Sequence, residues 1–218
     1  MGTVLTVNIA QPMSDRLGEP MLTGIHKVPT AQTVAVRAPG PMHGGLGSGL
    51  VGDVIGNHKV HGGDDQAVYA YAREDLDAWE TVLQRELTNG MFGENITTFG
   101  AEVSAALIGE RWQVGGDGVV LEVSAPRIPC TTFARAMGER GWIKTFTKAA
   151  KPGAYLRVLS PGTVQAGDAI SVIHRPDHAV TVALVFRAET LEPELLPQLL
   201  VADALPDETK ELARRRIE

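Results

Sequence analysis

Short runs of apolar or alternating residues, separated by glycine, fill the chain up to about residue 172. Each run has the length of a strand and is rich in β-branched or aromatic residues, which favours β-strands. The first run has its apolar positions at Val4, Leu5, Val7 and Ile9. Further strands are predicted over residues 33–37, 67–71, 119–123, 155–159 and 169–173. The pattern therefore predicts a mainly β domain.

One helical pattern interrupts these strands between residues 74 and 87. Acidic residues stand in its first turn, and Asn89-Gly90 is expected to end it. Its apolar positions recur every three or four residues, at Leu76, Trp79, Val82, Leu83 and Leu87. A single amphipathic helix among many strands argues against repeated βαβ units.

The character of the chain changes near residue 175. From residue 190 onward the sequence is rich in Leu, Glu, Ala, Lys and Arg, and Pro193, Pro197 and Pro206 divide it into short helices. Residues 180–186 are ambiguous, because their apolar pattern also suits a buried strand. A boundary near residue 175 is therefore predicted.

Composition narrows the classes of function. The 20 Lys and Arg against 26 Asp and Glu give a net charge of −6, which argues against a nucleic-acid partner. One cysteine excludes an intramolecular disulfide and most cysteine-based zinc sites. The chain has no apolar stretch of about 20 residues and no signal-peptide pattern at its start. A soluble cytoplasmic protein with no membrane partner is expected.

Two patterns resemble known binding motifs but lack their context. Residues 47–52 spell G-x-G-x-x-G, yet a loop pattern precedes them and no helix pattern follows. A flexible glycine loop is therefore favoured over a dinucleotide site. His43, His58 and His61 could chelate a metal ion, but the sequence shows no partners that would orient them.

The richest stretch is residues 57–69, which ends in a predicted strand. The backbone N–H groups of Gly62 and Gly63 could approach an anion closely, while Lys59 and His61 could supply charge or protons. The simpler interpretation is a tight turn with Asp64 as the turn-forming residue.

The single cysteine lies on a loop that two prolines stiffen, directly after the strand predicted over residues 119–123. Thr131 or Thr132 is expected to cap a short helix there, and the positive end of that helix would lower the pKa of Cys130. Arg127 or Arg135 would add to this effect if it lies nearby. A buried inert cysteine is the alternative.

Two further stretches offer polar groups. Glu94-Asn95 places a carboxylate and an amide in a glycine-flanked loop, and Arg157 alternates with apolar neighbours, so its side chain could point into a barrel or cleft. On its own, the Glu94-Asn95 loop is more often structural than functional. No Ser-His-Asp order, P-loop or paired-carboxylate spacing is recognisable.

Together and in this order, these stretches resemble the MOSC family, named for the C-terminal domain of molybdenum-cofactor sulfurase, and within it the stand-alone bacterial YiiM-like branch. The resemblance spans about residues 1–173. Its motifs are Gly52-Asp53, His61-Gly62-Gly63-x-x-x-Ala67-Val68-Tyr69, Phe92-Gly93-Glu94-Asn95-Ile96-Thr97-Thr98, Ile108-Gly109, Pro126-Arg127-x-Pro129-Cys130, Gly153-x-Tyr155-Leu156-Arg157-Val158 and Gly167-Asp168. The chain departs from the family at Ala125, where Gln is common, and in an inserted glycine-rich loop over residues 39–50.

The resemblance implies a MOSC-type β-barrel, similar to the pyruvate kinase barrel, over residues 1–173. A small three-helix domain would follow over residues 176–218. The resemblance also implies a molybdenum cofactor (Mo-molybdopterin), with the thiolate of Cys130 as a ligand to molybdenum. The residues expected to bind the phosphate and dithiolene of the cofactor are Lys59, Gly62, Gly63, Asn95, Arg127 and Arg157. His61 or Asp64 is expected to deliver a proton, a role that the family motif does not itself carry.

The implied activity is that of a detoxifying oxidoreductase. Family relatives reduce N-hydroxylated compounds, such as hydroxylaminopurines and amidoximes, to amines with electrons from a separate flavin reductase, and the branch suggests a homodimer. An alternative is a carrier that holds sulfur, as a persulfide on Cys130, or the cofactor itself for another enzyme. A third possibility is a barrel that has lost its cofactor and serves as an interaction module.

Overall fold

The computed structural model describes residues 2–10, 13–14, 20–21, 23–116 and 118–216. Positions 1, 11, 12, 15–19, 22 and 117 of the first predicted domain and positions 217 and 218 of the second lie outside these ranges. The strands are β1 (Gly2–Ala10), β2 (Met13–Ser14), β3 (Pro20–Met21), β4 (Lys27–Thr30), β5 (Val34–Val36), β6 (Val68–Ala72), β7 (Ile96–Phe99), β8 (Arg111–Val114), β9 (Val119–Pro126), β10 (Ala154–Ser160), β11 (Gly162–Val164) and β12 (Ala169–His174). The α-helices are α1 (Arg73–Leu83), α2 (Thr131–Met137), α3 (Trp142–Ala149), α4 (Val182–Thr190) and α5 (Asp207–Arg215). Short 3-10 helices lie at Asp64–Gln66, Val103–Ala105 and Pro193–Val201.

Seven strands close into a barrel. Their order is β12-β8-β9-β10-β6-β7-β1, and the start of β1 pairs with β12 to complete the ring. The second half of β1 pairs with β4. Within the barrel β6 and β7 run parallel, and the other neighbours are antiparallel. The predicted mainly β fold with helices is confirmed.

Small and branched apolar side chains from the strands fill the barrel. Val4 and Val7 of β1 are fully buried, whereas Leu5 between them is 40% exposed. Leu121 of β9 and Leu156 of β10 are buried in the same apolar cluster. The period-2 pattern therefore marks which side of a strand such as β10 faces the core, whereas all five residues of β6 are buried.

Helix α1 is shorter than its apolar pattern predicts. It ends at Leu83, because Gln84 adopts a left-handed conformation with φ of 51°, so the predictions of a helix up to Leu87 and a stop at Asn89-Gly90 were wrong. Leu87 is buried all the same, since the chain folds back and its carbonyl oxygen accepts a hydrogen bond of 2.7 Å from Arg73 Nη1. The apolar spacing therefore includes Leu87, a residue that is buried although it lies outside the helix.

An aromatic cluster attaches α2 and α3 to the outside of the barrel. The ring of Phe92, in the loop before β7, lies 5.1 Å from Phe133 of α2 and 5.7 Å from Trp142 of α3, measured between centroids. Trp142 in turn lies 4.8 Å from Trp79 of α1. Edge-to-face contacts of this kind are specific in geometry. They set the position of the residues at the start of α2.

Three helical segments follow the barrel. The ambiguous residues 180–186 become helical at Val182, where the side chain of Thr181 accepts a hydrogen bond from the backbone N–H of Leu184. Val185, Leu199 and Ala213 belong to the same buried cluster as the barrel interior. The division into two domains stays a prediction. In the part of the chain that the structure describes, no helix is both long and apolar enough to cross a membrane.

Replacing Gly153 by alanine should destabilise the fold strongly. Gly153 has φ of +68°, and an added Cβ would lie 2.6 Å from the carbonyl oxygen of Ala70 in β6. Left-handed strain and overpacking together should lower the free energy of unfolding by about 2 to 5 kcal/mol. Gly138 is a matched control, because its φ is also +68° but nothing lies within 4 Å of its Cβ position.

Gly138→Ala should cost only the strain, about 1 to 2 kcal/mol. Urea denaturation of the two variants beside the wild type measures the difference. Equal losses in both variants would show that the contact with Ala70 contributes nothing.

Candidate functional site

A cleft of about 660 Å³ lies beside the barrel. Its walls come from the chain before and at the start of β4, the loop over residues 55–62, the barrel strands β6 and β10, and the start of α2. Cavities of this size accommodate small-molecule ligands and cofactors. Cys130 and Arg127 both line it.

Cys130 occupies the cap position of α2 and is half-buried. Its backbone is extended, and the helix begins at Thr131, so the expectation that Thr131 or Thr132 would cap the helix was wrong. A side-chain hydrogen bond with His61 is the largest cause that lowers the pKa of Cys130 to about 6; partial burial opposes it, and the backbone N–H of Phe133 and the Arg127 guanidinium assist. The sulfur is therefore a thiolate at neutral pH.

Arg127 supplies buried positive charge beside this thiolate. It is only 6% exposed, and its guanidinium carbon lies 3.6 Å from the centroid of the Phe133 ring and 5.5 Å from that of Tyr69. Its Nη1 atom is buried without a hydrogen-bond partner among the described residues. A buried charged donor without an acceptor costs folding free energy unless a ligand accepts its hydrogen bond. The arrangement indicates an anion-binding position in the cleft.

Two tyrosines form a neutral wall around Arg127. Burial raises the pKa of Tyr69 and of Tyr155, so both phenols keep their protons. The Tyr69 hydroxyl donates a hydrogen bond of 2.7 Å to the carbonyl oxygen of Pro152, and the two rings lie 5.3 Å apart. They shape the cleft without adding charge.

A buried ion pair under the cleft was missed by the sequence analysis. Lys27 Nζ lies 2.6 Å from Asp53 Oδ1, and both side chains are almost wholly buried. The carboxylate also accepts hydrogen bonds of 2.8 Å from Ser48 Oγ and from Asn95 Nδ2. Lys27 lines the cleft but belongs to no motif, whereas Asp53 is part of the Gly52-Asp53 motif.

The structure brings together five of the predicted site residues and separates four others. Those that line the cleft are Cys130, His61, Gly62, Asn95 and Arg127; those that do not are Lys59, Gly63, Asp64 and Arg157. The amide of Asn95 is taken by the backbone N–H of Tyr69 (3.1 Å) and by Asp53, so it holds other groups in place. Arg157 turns to Glu122, to Asp65 and to the carbonyl oxygen of Ala204, which links the barrel to the C-terminal helices.

Asp64 anchors the inserted glycine-rich loop rather than facing the cleft. Its Oδ1 accepts a hydrogen bond of 2.9 Å from the backbone N–H of Gly40. Two backbone hydrogen bonds also join this loop to residues 63–67. The N–H of Gly63 donates to the carbonyl oxygen of Gly47 (3.1 Å), and the N–H of Gly49 donates to the carbonyl oxygen of Ala67 (2.7 Å). The structure therefore does not place Asp64 where it could deliver a proton into the cleft.

The lining of the cleft fits an anionic molybdenum–dithiolene cofactor. A thiolate is a soft ligand, and Nη1 of Arg127, which has no partner in the described part of the chain, is a suitable donor to phosphate or sulfur anions. Among the described lining residues there is no aspartate or glutamate. The described part of the chain also contains no group of three His, Cys, Asp or Glu side chains close enough to hold a metal ion, so His43, His58 and His61 form no such cluster.

Sequence comparison identifies the class of protein. The MOSC domain model matches residues 57–171. The uncharacterized protein YflK of Bacillus subtilis (strain 168) is 30% identical over 186 residues, which cover 85% of this chain and 79% of YflK. A protein named reductase from Gibberella moniliformis is 31% identical over 176 residues, which cover 77% of this chain but 31% of that protein. The chain belongs to the MOSC domain family, and the family resemblance is confirmed.

Solved structures share the whole fold. YiiM from Geobacillus stearothermophilus superposes with a TM-score of 0.78 at 24% identity and covers all of both chains. YiiM from Escherichia coli gives a TM-score of 0.74 at 20% identity, covering 99% of this chain and 92% of that one. This likeness extends the match beyond residues 57–171 to the C-terminal helices.

The reactivity of Cys130 should follow its lowered pKa. Because the thiolate is the nucleophile, the rate of alkylation by iodoacetamide should rise with pH through a midpoint near 6. His61→Phe removes the largest cause of the shift, so the midpoint should move upward by at least about one pH unit, toward the value of about 8.5 typical of a free thiol. The denatured protein gives the reference midpoint, and an unmoved midpoint in His61→Phe would contradict the Cys130–His61 pairing.

Proposed function

We propose that this protein binds the molybdenum cofactor and reduces N-hydroxylated compounds, such as hydroxylaminopurines and amidoximes, to amines with electrons from a separate flavin reductase. The proposal is carried by Cys130, whose pKa is lowered to about 6, in the same cleft as Arg127, whose buried Nη1 has no hydrogen-bond partner among the described residues. The name reductase of the Gibberella relative supports the class of reaction.

The chain provides the binding groups. Cys130 would hold the metal through its sulfur, and Arg127 would hold the anionic part of the cofactor. When bound, the cofactor supplies two-electron chemistry that removes oxygen from the N–O bond. Tyr69, Tyr155 and the start of α2 line the same cleft.

The reaction also needs protons. Reduction of R–NH–OH to R–NH₂ and water consumes two electrons and two protons. Of the two residues predicted to deliver a proton, His61 lines the cleft and pairs with Cys130, whereas Asp64 does not line it. His61 is therefore the residue that would hold a proton next to the substrate oxygen.

The test is the molybdenum content of protein made in cells that produce the cofactor. Elemental mass spectrometry should find close to one molybdenum per chain, and the loaded protein with a flavin reductase and NADH should convert 6-hydroxylaminopurine to adenine. No molybdenum after attempted reconstitution, together with a trappable persulfide on Cys130, would replace this proposal with the carrier function.

A further inference from the structure

The charge of the cleft is opposite to that of the protein. The chain carries a net charge of −6, yet the described lining residues include no carboxylate. They include three cations, Lys27, Arg127 and Arg135. Lys27 is neutralised by Asp53, and Arg127 is buried between the rings of Phe133 and Tyr69. Arg135 is the cation at the open side of the cleft.

Arg135 is exposed and takes part in no ion pair among the described residues. Glu139 stands four residues later but lies beyond the end of α2 at Met137, so the i,i+4 pairing of a continuous helix does not apply to it. Here the carboxylate lies 3.6 Å from Arg85 instead. Arg85 is held in place by a hydrogen bond of 2.7 Å from its Nη2 to the carbonyl oxygen of Met137. The guanidinium of Arg135 is thus left available to a ligand.

The same cleft has an apolar part. Ile25, Ile55 and Val60 line it, and Val60 is 56% exposed. Apolar side chains with a few polar groups placed among them are typical of a small-molecule site. Apolar contacts suit a planar heterocycle, and a free guanidinium suits a phosphate or carboxylate, to which it can donate two parallel hydrogen bonds.

We propose that the substrate of this cleft carries an anionic group that Arg135 binds, so that an N-hydroxylated nucleotide is preferred over the free base or nucleoside. This inference rests on the proposed function, because the N-hydroxyl group is taken as the reacting part. Cationic substrates are disfavoured by the same charge. Arg135 sets specificity and takes no part in the chemistry.

The experiment compares the 5′-monophosphate of N6-hydroxyadenosine with the uncharged nucleoside as substrates of the cofactor-loaded protein. The wild type should show the higher kcat/KM for the monophosphate. Arg135→Gln should lower the ratio of the two kcat/KM values about fivefold, which is the upper range for an exposed ion pair. The ratio should also fall as salt is added. Arg140→Gln is the matched control, since Arg140 is exposed on the following loop and does not line the cleft.

A binding measurement separates the two proposals. Calorimetry of the cofactor-loaded protein should show that adenosine 5′-monophosphate binds more tightly than adenosine and that Arg135→Gln removes the difference. If both N-hydroxylated substrates are reduced equally well and Arg135→Gln changes nothing, the nucleotide preference is overturned while the reductase function stands. If neither is reduced but the monophosphate binds through Arg135, the anion site is supported and the reductase function fails.

Discussion

Replacing Cys130 by alanine should remove both bound molybdenum and N-hydroxylamine reduction. Loss of residues that merely orient a metal ligand already costs about 10- to 100-fold in affinity or activity. Loss of the ligand itself should therefore lower turnover by at least about 100-fold. The sulfur is half-buried at the start of a surface helix, so the fold should survive the change. Elemental analysis, steady-state kinetics and thermal unfolding of the variant measure all three effects.

Two variants make the result specific to the sulfur. Cys130→Ser keeps the shape of the side chain but offers an un-ionised hydroxyl, so it should behave like the alanine variant. Thr145→Ala changes an exposed side chain of α3 that does not line the cleft, so this variant should keep the molybdenum. Full reductase activity in Cys130→Ala would show that the metal is held elsewhere.

Breaking the buried ion pair should have the largest effect on stability. Asp53→Ala would leave Lys27 buried without its partner, and removal of one member of a buried pair costs about 3 to 5 kcal/mol in free energy of unfolding. The backbone N–H of Ala10, which donates to the Asp53 carboxylate at 2.9 Å, would also lose its acceptor. Urea denaturation at neutral pH measures the loss.

The pH dependence of stability should report the same pair. Burial alone would raise the pKa of Asp53, but Lys27 and the hydrogen bonds from Ala10 and Ser48 outweigh it, so that the pKa is lowered. A lowered folded-state pKa stabilises the protein above the unfolded value of about 3.9. This contribution is lost as the pH falls through the folded-state pKa. Asp53→Ala should flatten that part of the stability curve.

The paired change Lys27→Met with Asp53→Leu provides the control. Replacing both charges by apolar groups removes the unpaired charge, so the double variant should be more stable than Asp53→Ala. Asp77→Ala breaks the exposed pair with Arg73 and should cost much less. A loss in Asp53→Ala no greater than in Asp77→Ala would show that the buried pair is not important for stability.

Much of the barrel was predictable from local pattern. The strands over residues 119–123 and 155–159 lie within β9 and β10, because alternation of apolar and polar residues reflects the side of the strand that faces the core. The short strand β4 (Lys27–Thr30) was not singled out, since four residues with Pro29 among them show no clear alternation. The end of α1 was misplaced, because the apolar spacing continues to Leu87 after Gln84 has ended the helix.

The candidate site divides in the same way. Arg127 and Cys130 are three residues apart on one loop, so their proximity could be expected from the sequence. By contrast, the positions of Arg157 and Asp64 depend on distant partners, Ala204 and Gly40, and the sequence could not show where they point. The hydrogen bond between Cys130 and His61 and the ion pair between Lys27 and Asp53 each join residues that are far apart in the sequence.

By itself, the sequence determined the strand-rich fold, the family, and the cysteine–arginine loop, because these depend on neighbouring residues and on motifs in order. The tertiary structure alone decided which charges enter the cleft. Closure of a barrel joins strands that are far apart in the chain, and each long polar side chain then takes the partner that closure brings near. That is why Lys27 and Arg135 line the cleft while Lys59 and Arg157 do not.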